Sequence, residues 1–215
     1  MSTPFTIDIW SDVVCPFCYL GERQLAQALT EFEHADEVVI AHHAFELDPH
    51  ARLSYDRPLA ELVARKYDMP VERAEGLHHR LESEAAALGM TWSMASAQPT
   101  NTFDAHRLIA LATTQGRGAA MVERLFAAYF VEGRLVSDHD TLVELASDVG
   151  VTGAREMLDS ADFTDDVRAD EEDAMELGIS GVPSMVLDRK FMISGARGAE
   201  EILSGLRRAW SRRVS

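Results

Sequence analysis

Cysteine is scarce: the 215-residue chain holds two, Cys15 and Cys18. A structural zinc site usually takes four ligands, and there is no second Cys pair to complete one. His42-His43 and His78-His79 are the remaining candidates, but adjacent side chains on a strand point to opposite faces, so no metal is assigned. Positive charge is also short: 20 Lys and Arg face 36 Asp and Glu, a formal net charge of −16. A surface this acidic repels phosphate backbones and anionic lipid, which argues against nucleic-acid and membrane partners. No apolar run approaches the length of a membrane-spanning helix. The opening Met1-Ser2-Thr3-Pro4 has no basic segment, and Phe5 to Trp10 is too short for a secretory core. A cytoplasmic chain is expected on those grounds, and there a Cys pair cycles or stays reduced instead of acting as a staple. Internal repeats and low-complexity stretches are absent. The 47% hydrophobic content suffices for one ample core or a domain with an insertion.

What is present centres on Trp10-Ser11-Asp12-Val13-Val14-Cys15-Pro16-Phe17-Cys18-Tyr19. An apolar run, Phe5 to Trp10, leads in, and a helical pattern, Leu20 to Phe32, leads out. Strand, Cys-x-x-Cys and helix form the local setting of a redox dithiol. Unpaired N–H groups and the positive dipole end at a helix start stabilise a thiolate, which makes Cys15 the candidate nucleophile. Pro16 suits the first helical position, where its missing N–H costs nothing. Cys18 lies about one helical turn deeper and is the candidate resolving thiol. An inert, core-filling pair is the competing reading, and the helix-start placement argues against it.

The period along the chain predicts a βαβ unit: a strand at Phe5–Trp10, a helix with Leu20, Leu25, Ala28, Leu29 and Phe32 on one face, and a strand at Val38–Phe45. Its strands should be parallel, with a right-handed crossover. From about Asp56 to Asp159 no strand is expected. Helices are read at Pro58–Tyr67, Val71–Leu88, from Asn101 past Leu111, at Ala119–Val131, after a cap within Ser137-Asp138-His139-Asp140, and at Thr152–Leu158. An acidic helix, Phe163–Leu177, follows; its Asp165-Asp166 and Asp170-Glu171-Glu172-Asp173 read as a solvated face. Ile179–Leu187 and Phe191–Ser194 are then expected to form a hairpin, before a last helix at Gly198–Arg213. In that helix Arg207, Arg208, Arg212 and Arg213 suit the negative end of the dipole.

This order of parts resembles the DsbA-like branch of the thioredoxin superfamily, and within it the FrnE subgroup. The stretches that carry the resemblance are Ser11 to Cys18, Asn101-Thr102-Phe103-Asp104-Ala105-His106-Arg107-Leu108, and Gly181-Val182-Pro183 with Ser194-Gly195-Ala196. The resemblance implies an α/β thioredoxin fold, a mixed sheet flanked by helices, with a large all-helical insertion. Residues 1–53 and 163–215 would form the discontinuous thioredoxin-like domain and residues 54–162 the insertion. It implies a cis Val182-Pro183 bond facing the dithiol, with the Val182 backbone pairing to an extended substrate; a trans proline at a strand entry is the plain alternative. Pro16, Phe17, Val182 and Pro183 would then line the substrate side. The implied activity is thiol–disulfide exchange on protein or low-molecular-weight substrates, with no cofactor, in a monomer or a homodimer.

Three departures matter. Many thioredoxins carry a buried acid where this chain has Ile9, so Asp12 or a water becomes the substitute proton acceptor, and a helix-entry cap is the other reading of Asp12. Phe17 stands where FrnE-like proteins often have Trp, in the dipeptide that helps set the redox potential. The related 2-hydroxychromene-2-carboxylate isomerases and kappa-class glutathione transferases carry Ser in place of Cys15 and an Asp-Arg pair in place of Ala196-Arg197. That makes a glutathione-dependent isomerase or transferase the second reading, and a redox-sensing binding protein the third. His106 is a candidate for tuning Cys15 from a cleft wall, and a hydrogen-bonded core histidine accounts for it equally. Trp10 is a candidate shield or substrate contact, with a core indole as the safer reading.

Overall fold

The computed structural model describes residues 4–213. Residues 1–3 and 214–215, the outer ends of the two expected thioredoxin-like halves and most of the opening Met1-Ser2-Thr3-Pro4, lie outside the described residues. The chain divides into two compact units, Met1–Leu47 with Arg168–Ser215, and Asp48–Val167. The expected breaks at residues 53 and 163 therefore fall a few residues inside the second unit.

The first unit holds a four-stranded sheet, with β1 (Phe5–Ser11), β2 (Val38–Ala44), β3 (Ser184–Leu187) and β4 (Phe191–Ser194) in the order β2-β1-β3-β4. β1 pairs parallel with β2, as the βαβ reading required, and antiparallel with β3; β3 and β4 form the antiparallel hairpin. Three helices belong to this unit wholly or in part: α1 (Pro16–Thr30), α9 (Ala199–Ser211), and α8 (Thr164–Glu176), within which the boundary between units falls. Strand alternation sorts β1 into two faces. Phe5, Ile7 and Ile9 are buried with Leu25 and Ala28 of α1 and Ile202, Leu206 and Ala209 of α9. Trp10 points the other way, to Ala174 of α8, Ile179 and Val186. Fully burying an aliphatic side chain contributes about 1.5–3 kcal/mol, so the first face carries most of this unit's apolar stabilisation.

The second unit is helical: α2 (Leu59–Lys66), α3 (Val71–Ala87), α4 (Phe103–Thr114), α5 (Gly118–Phe130), α6 (His139–Asp148) and α7 (Ala154–Leu158). Leu108, Leu125, Phe126, Leu142 and Leu145 are wholly buried. Within the predicted capping segment Asp138 is the N-cap, accepting from the Thr141 N–H at 2.8 Å. Arg107 is buried and satisfied: Nη1 donates to Asp104 Oδ1 at 2.7 Å, Nη2 to the Met157 carbonyl at 2.7 Å and to Ser160 O at 2.8 Å, and Nε to Asp162 O at 2.8 Å. One guanidinium thus ties α4 to α7 and the chain after it. Among the described residues no helix is long and apolar enough to cross a membrane.

Two surface readings change. The acidic run on α8 is not simply a solvated face. Asp170 accepts from His43 Nδ1 at 2.6 Å and from the Ala44 N–H at 2.8 Å, Asp173 pairs with Arg189 at 2.9 Å, and Glu171 with Arg168. β2 and Arg189 recruit Asp170 and Asp173 from outside the helix, which a one-dimensional charge run cannot reveal, whereas Arg168–Glu171 is a local pair three residues apart on α8. The C-terminal arginines also serve other partners. Arg207 pairs with Glu33 at 2.5 Å, and Arg213 lies over the Trp210 and Phe5 rings while donating to Pro4 O at 3.0 Å.

Candidate active site

β1 ends at Ser11, and the chain turns into α1 through Asp12, Val13 and Val14. The Cys15 N–H donates to Asp12 O at 3.0 Å, closing the turn. The buried Asp12 carboxylate accepts from the Leu47 N–H at 2.8 Å and from the Val14 N–H at 3.5 Å. It therefore fastens this turn to the segment after β2 and is not the cap of α1. The residue at the N-cap is Cys15 itself, with no side-chain capping bond, and Pro16 opens the helix. Its Sγ, spared from capping, lies 3.7 Å from the Val182 carbonyl oxygen.

Cys18 sits in the first turn of α1, 1% exposed, and both cysteines are free thiols. Burial pushes the Cys18 thiol well up, and the hydrogen bond and charge of Cys15 push it further. The helix begins at Pro16, the first helical position expected for it, which places Cys18 on the helix proper.

The loop opposite the dithiol is built by short bonds. The Val182–Pro183 peptide is cis. Ser184 Oγ donates to Gly181 O at 2.9 Å, and the Gly195 N–H donates to Pro183 O at 2.7 Å. The last contact joins the Gly181-Val182-Pro183 and Ser194-Gly195-Ala196 stretches, which lie apart in sequence. Beneath them is Gly21 of α1, where an added Cβ would meet Pro183 Cγ at 3.1 Å and Met185 Cε at 3.6 Å.

Of the residues singled out from sequence, Cys15, Cys18, Val182 and Pro183 come together. Phe17 is 48% exposed beside them, and Pro16 and Val182 are half-buried. Trp10 is wholly buried, donates Nε1–H to Asp170 O at 2.9 Å, and stacks on His43 with centroids 4.4 Å apart. It is a core indole and offers no surface to a substrate. His106 is buried on α4 of the helical unit. His42 and His43 point to opposite faces as expected: His42 Nε2 meets Glu22 of α1 at 3.1 Å, and His43 meets Asp170 of α8. Among the described residues no cluster of three or more His, Cys, Asp or Glu is placed to hold a metal ion.

Two features escaped the sequence reading. One is Gly21, whose only signal is that an isolated glycine inside a helical pattern costs about 1 kcal/mol against alanine and so calls for a packing reason. The other is the Asp8–His43–Asp170 cluster, whose members come from β1, β2 and α8. His43 Nδ1 is 2.6 Å from Asp170 and Nε2 is 3.2 Å from Asp8. Burial alone would pull His43 down, but the hydrogen bonds and charges of Asp170 and Asp8 outweigh it and hold it above the ordinary histidine value.

A DSBA-like thioredoxin domain model matches residues 6–207. The chain belongs to this family. It is 38% identical to the probable DsbA oxidoreductase of Streptomyces coelicolor, whose crystal structure superposes with a TM-score of 0.92 over 96% of this chain and 90% of that one. It is 26% identical to YwbO of Bacillus subtilis over 90% of this chain and 92% of the relative. A 2-hydroxychromene-2-carboxylate isomerase shares the fold at 19% identity, with a TM-score of 0.70 over 97% of this chain and 98% of that one. The DsbA-like fold expected from the order of motifs is thus the fold of the protein, and the likeness to the isomerase architecture holds as well.

Proposed function

We propose that this DsbA-like protein catalyses thiol–disulfide exchange through Cys15 and Cys18. The observation that carries the reading is Cys15 Sγ lying 3.7 Å from Val182 O, beside Pro183, with no capping bond to occupy it. The Cys15 thiolate attacks a substrate disulfide. A Cys15–substrate S–S bond forms, the substrate S–S bond breaks, and the departing sulfur takes up a proton. Cys18 then gives up its proton and attacks the Cys15 sulfur, so a Cys15–Cys18 disulfide forms and the second substrate thiol leaves with that proton. Two electrons pass from protein to substrate; the reverse sequence oxidises a dithiol. The high Cys18 thiol keeps the resolving sulfur protonated until the mixed disulfide draws it in.

Val182 and Pro183 are read as the platform for an extended substrate backbone, and exposed Phe17 as an apolar contact beside the nucleophile. Protein disulfides and low-molecular-weight disulfides or thiols are the substrate classes, and the cytoplasm the compartment where such a pair would cycle. The name of the Streptomyces relative, a probable DsbA oxidoreductase, supports the redox reading. The isomerase fold likeness motivates a second one, a glutathione-dependent isomerase or transferase. Cys15 and Ala196 stand against it, being the positions where the resemblance to those families calls for Ser and Asp.

Insulin reduction and refolding of a scrambled disulfide protein test the proposal. Both should require Cys15, and a Cys15→Ser protein that retains them would refute the assignment. Glutathione binding by calorimetry, with isomerase or transferase activity kept or gained in Cys15→Ser, would support the second reading instead.

A further inference from the structure

We infer that Gly21 is a positioning residue: its missing side chain sets the distance between the dithiol helix and the Pro183 loop, and so the alignment of an extended peptide disulfide against Cys15. The inference rests on the thiol–disulfide reading. Gly21 lies inside α1, one turn beyond Cys18. Helix propensity alone favours alanine at an interior position. The surroundings do not, because a Cβ there would stand 3.1 Å from Pro183 Cγ, closer than real Cβ contacts normally come, with Pro183 Cβ at an ordinary 3.5 Å. The neighbour must then give by a few tenths of an ångström. α1 is held to the sheet by the Leu25 and Ala28 core, so the part free to yield is the loop. Yet that loop carries Val182 O, the partner of Cys15 Sγ, and its Pro183 O is already fixed by the Gly195 N–H at 2.7 Å.

A substrate that pairs its backbone along this loop has its sulfur placed by the loop, and small misplacements of reacting atoms cost rate steeply. A small disulfide without a peptide backbone is not placed that way. Gly21→Ala should therefore discriminate between them. Gly76 of α3 supplies the control, since an added Cβ there meets nothing within 4 Å.

The experiment measures single-turnover reduction of a peptide disulfide and of dithiobis(2-nitrobenzoate) by pre-reduced wild type, Gly21→Ala and Gly76→Ala, each dithiol supplying the two electrons and ending as the Cys15–Cys18 disulfide, with melts to establish that all three fold. Gly21→Ala is expected to slow the reaction with the peptide about tenfold, with a much smaller effect on the small disulfide, while Gly76→Ala matches wild type on both. A crystal structure of Gly21→Ala should show Pro183 displaced from Cys15. Equal loss on both substrates, no loss on either, or an undisplaced Pro183 each overturn the spacer role. Wild-type protein inert toward both disulfides overturns the exchange reading itself, a different result from any of these.

Discussion

His43 Nδ1 lies 2.6 Å from Asp170 Oδ1, joining β2 to α8 across 127 positions of sequence. The other ring nitrogen faces Asp8 at 3.2 Å. A neutral imidazole has one N–H to offer, so the protonated ring is the form that satisfies both carboxylates. Its value is raised in the fold, hence its stabilisation is complete below the unfolded value of about 6.5 and fades as pH rises through the higher folded value. Asp173 and Arg189, themselves paired at 2.9 Å, are the other charges of this region. His43→Gln should cost about 1–3 kcal/mol at pH 6 and clearly less at pH 9. Urea denaturation at the two pH values checks this; an equal penalty at both would contradict it.

Cys18 should behave as the guarded member of the pair. Both cysteines are buried, but burial and the neighbouring Cys15 hold the Cys18 thiol high, so iodoacetamide at pH 7 should leave it unlabelled in the folded protein and label it after unfolding. Cys18→Ser should accumulate a mixed disulfide on Cys15 with a peptide substrate, seen as an adduct by mass spectrometry without reductant. A Cys18→Ser protein that turns over normally would remove Cys18 from the resolving step.

Arg107 answers Asp104 and three carbonyl groups at once. Arg107→Leu should lower stability by about 3–5 kcal/mol, because it leaves three carbonyls unanswered and takes from Asp104 one of its two partners, His139 being the other. Arg107→Lys should recover only a fraction, since an ammonium cannot reproduce the planar fork. Thermal melts distinguish these values from the small loss expected if the guanidinium were merely solvated.

Asp138 caps α6, and Asp138→Ala should cost about 1 kcal/mol, with Asp138→Asn nearly silent. The Thr141 N–H holds the Asp138 carboxyl below its ordinary value. The cap's charge-dependent part is thus present above about pH 3.8 and lost as pH falls through the lower folded value. A difference between Asp138→Ala and wild type that does not shrink toward pH 2 would argue against that charge-dependent part, and no difference at pH 7 would argue against the cap.

Much of this protein was determined by local pattern. Phe5, Ile7 and Ile9 alternate to one face, the spacing of Leu25 and Ala28 sets the buried side of α1, and Cys15-Pro16 marks its start. These signals depend on neighbours within a few residues, so they are legible in one dimension, and motif order then named the family. Tertiary structure alone decided the rest. It turned Asp170 from a member of an acidic run into the partner of His43 and Ala44, gave Asp12 to the Leu47 N–H instead of a helix cap, buried Trp10 away from any substrate, and made Gly21 the floor beneath Pro183. Each of those outcomes depends on which atoms lie within a few ångströms after the sheet closes, and separation along the chain carries no record of that distance.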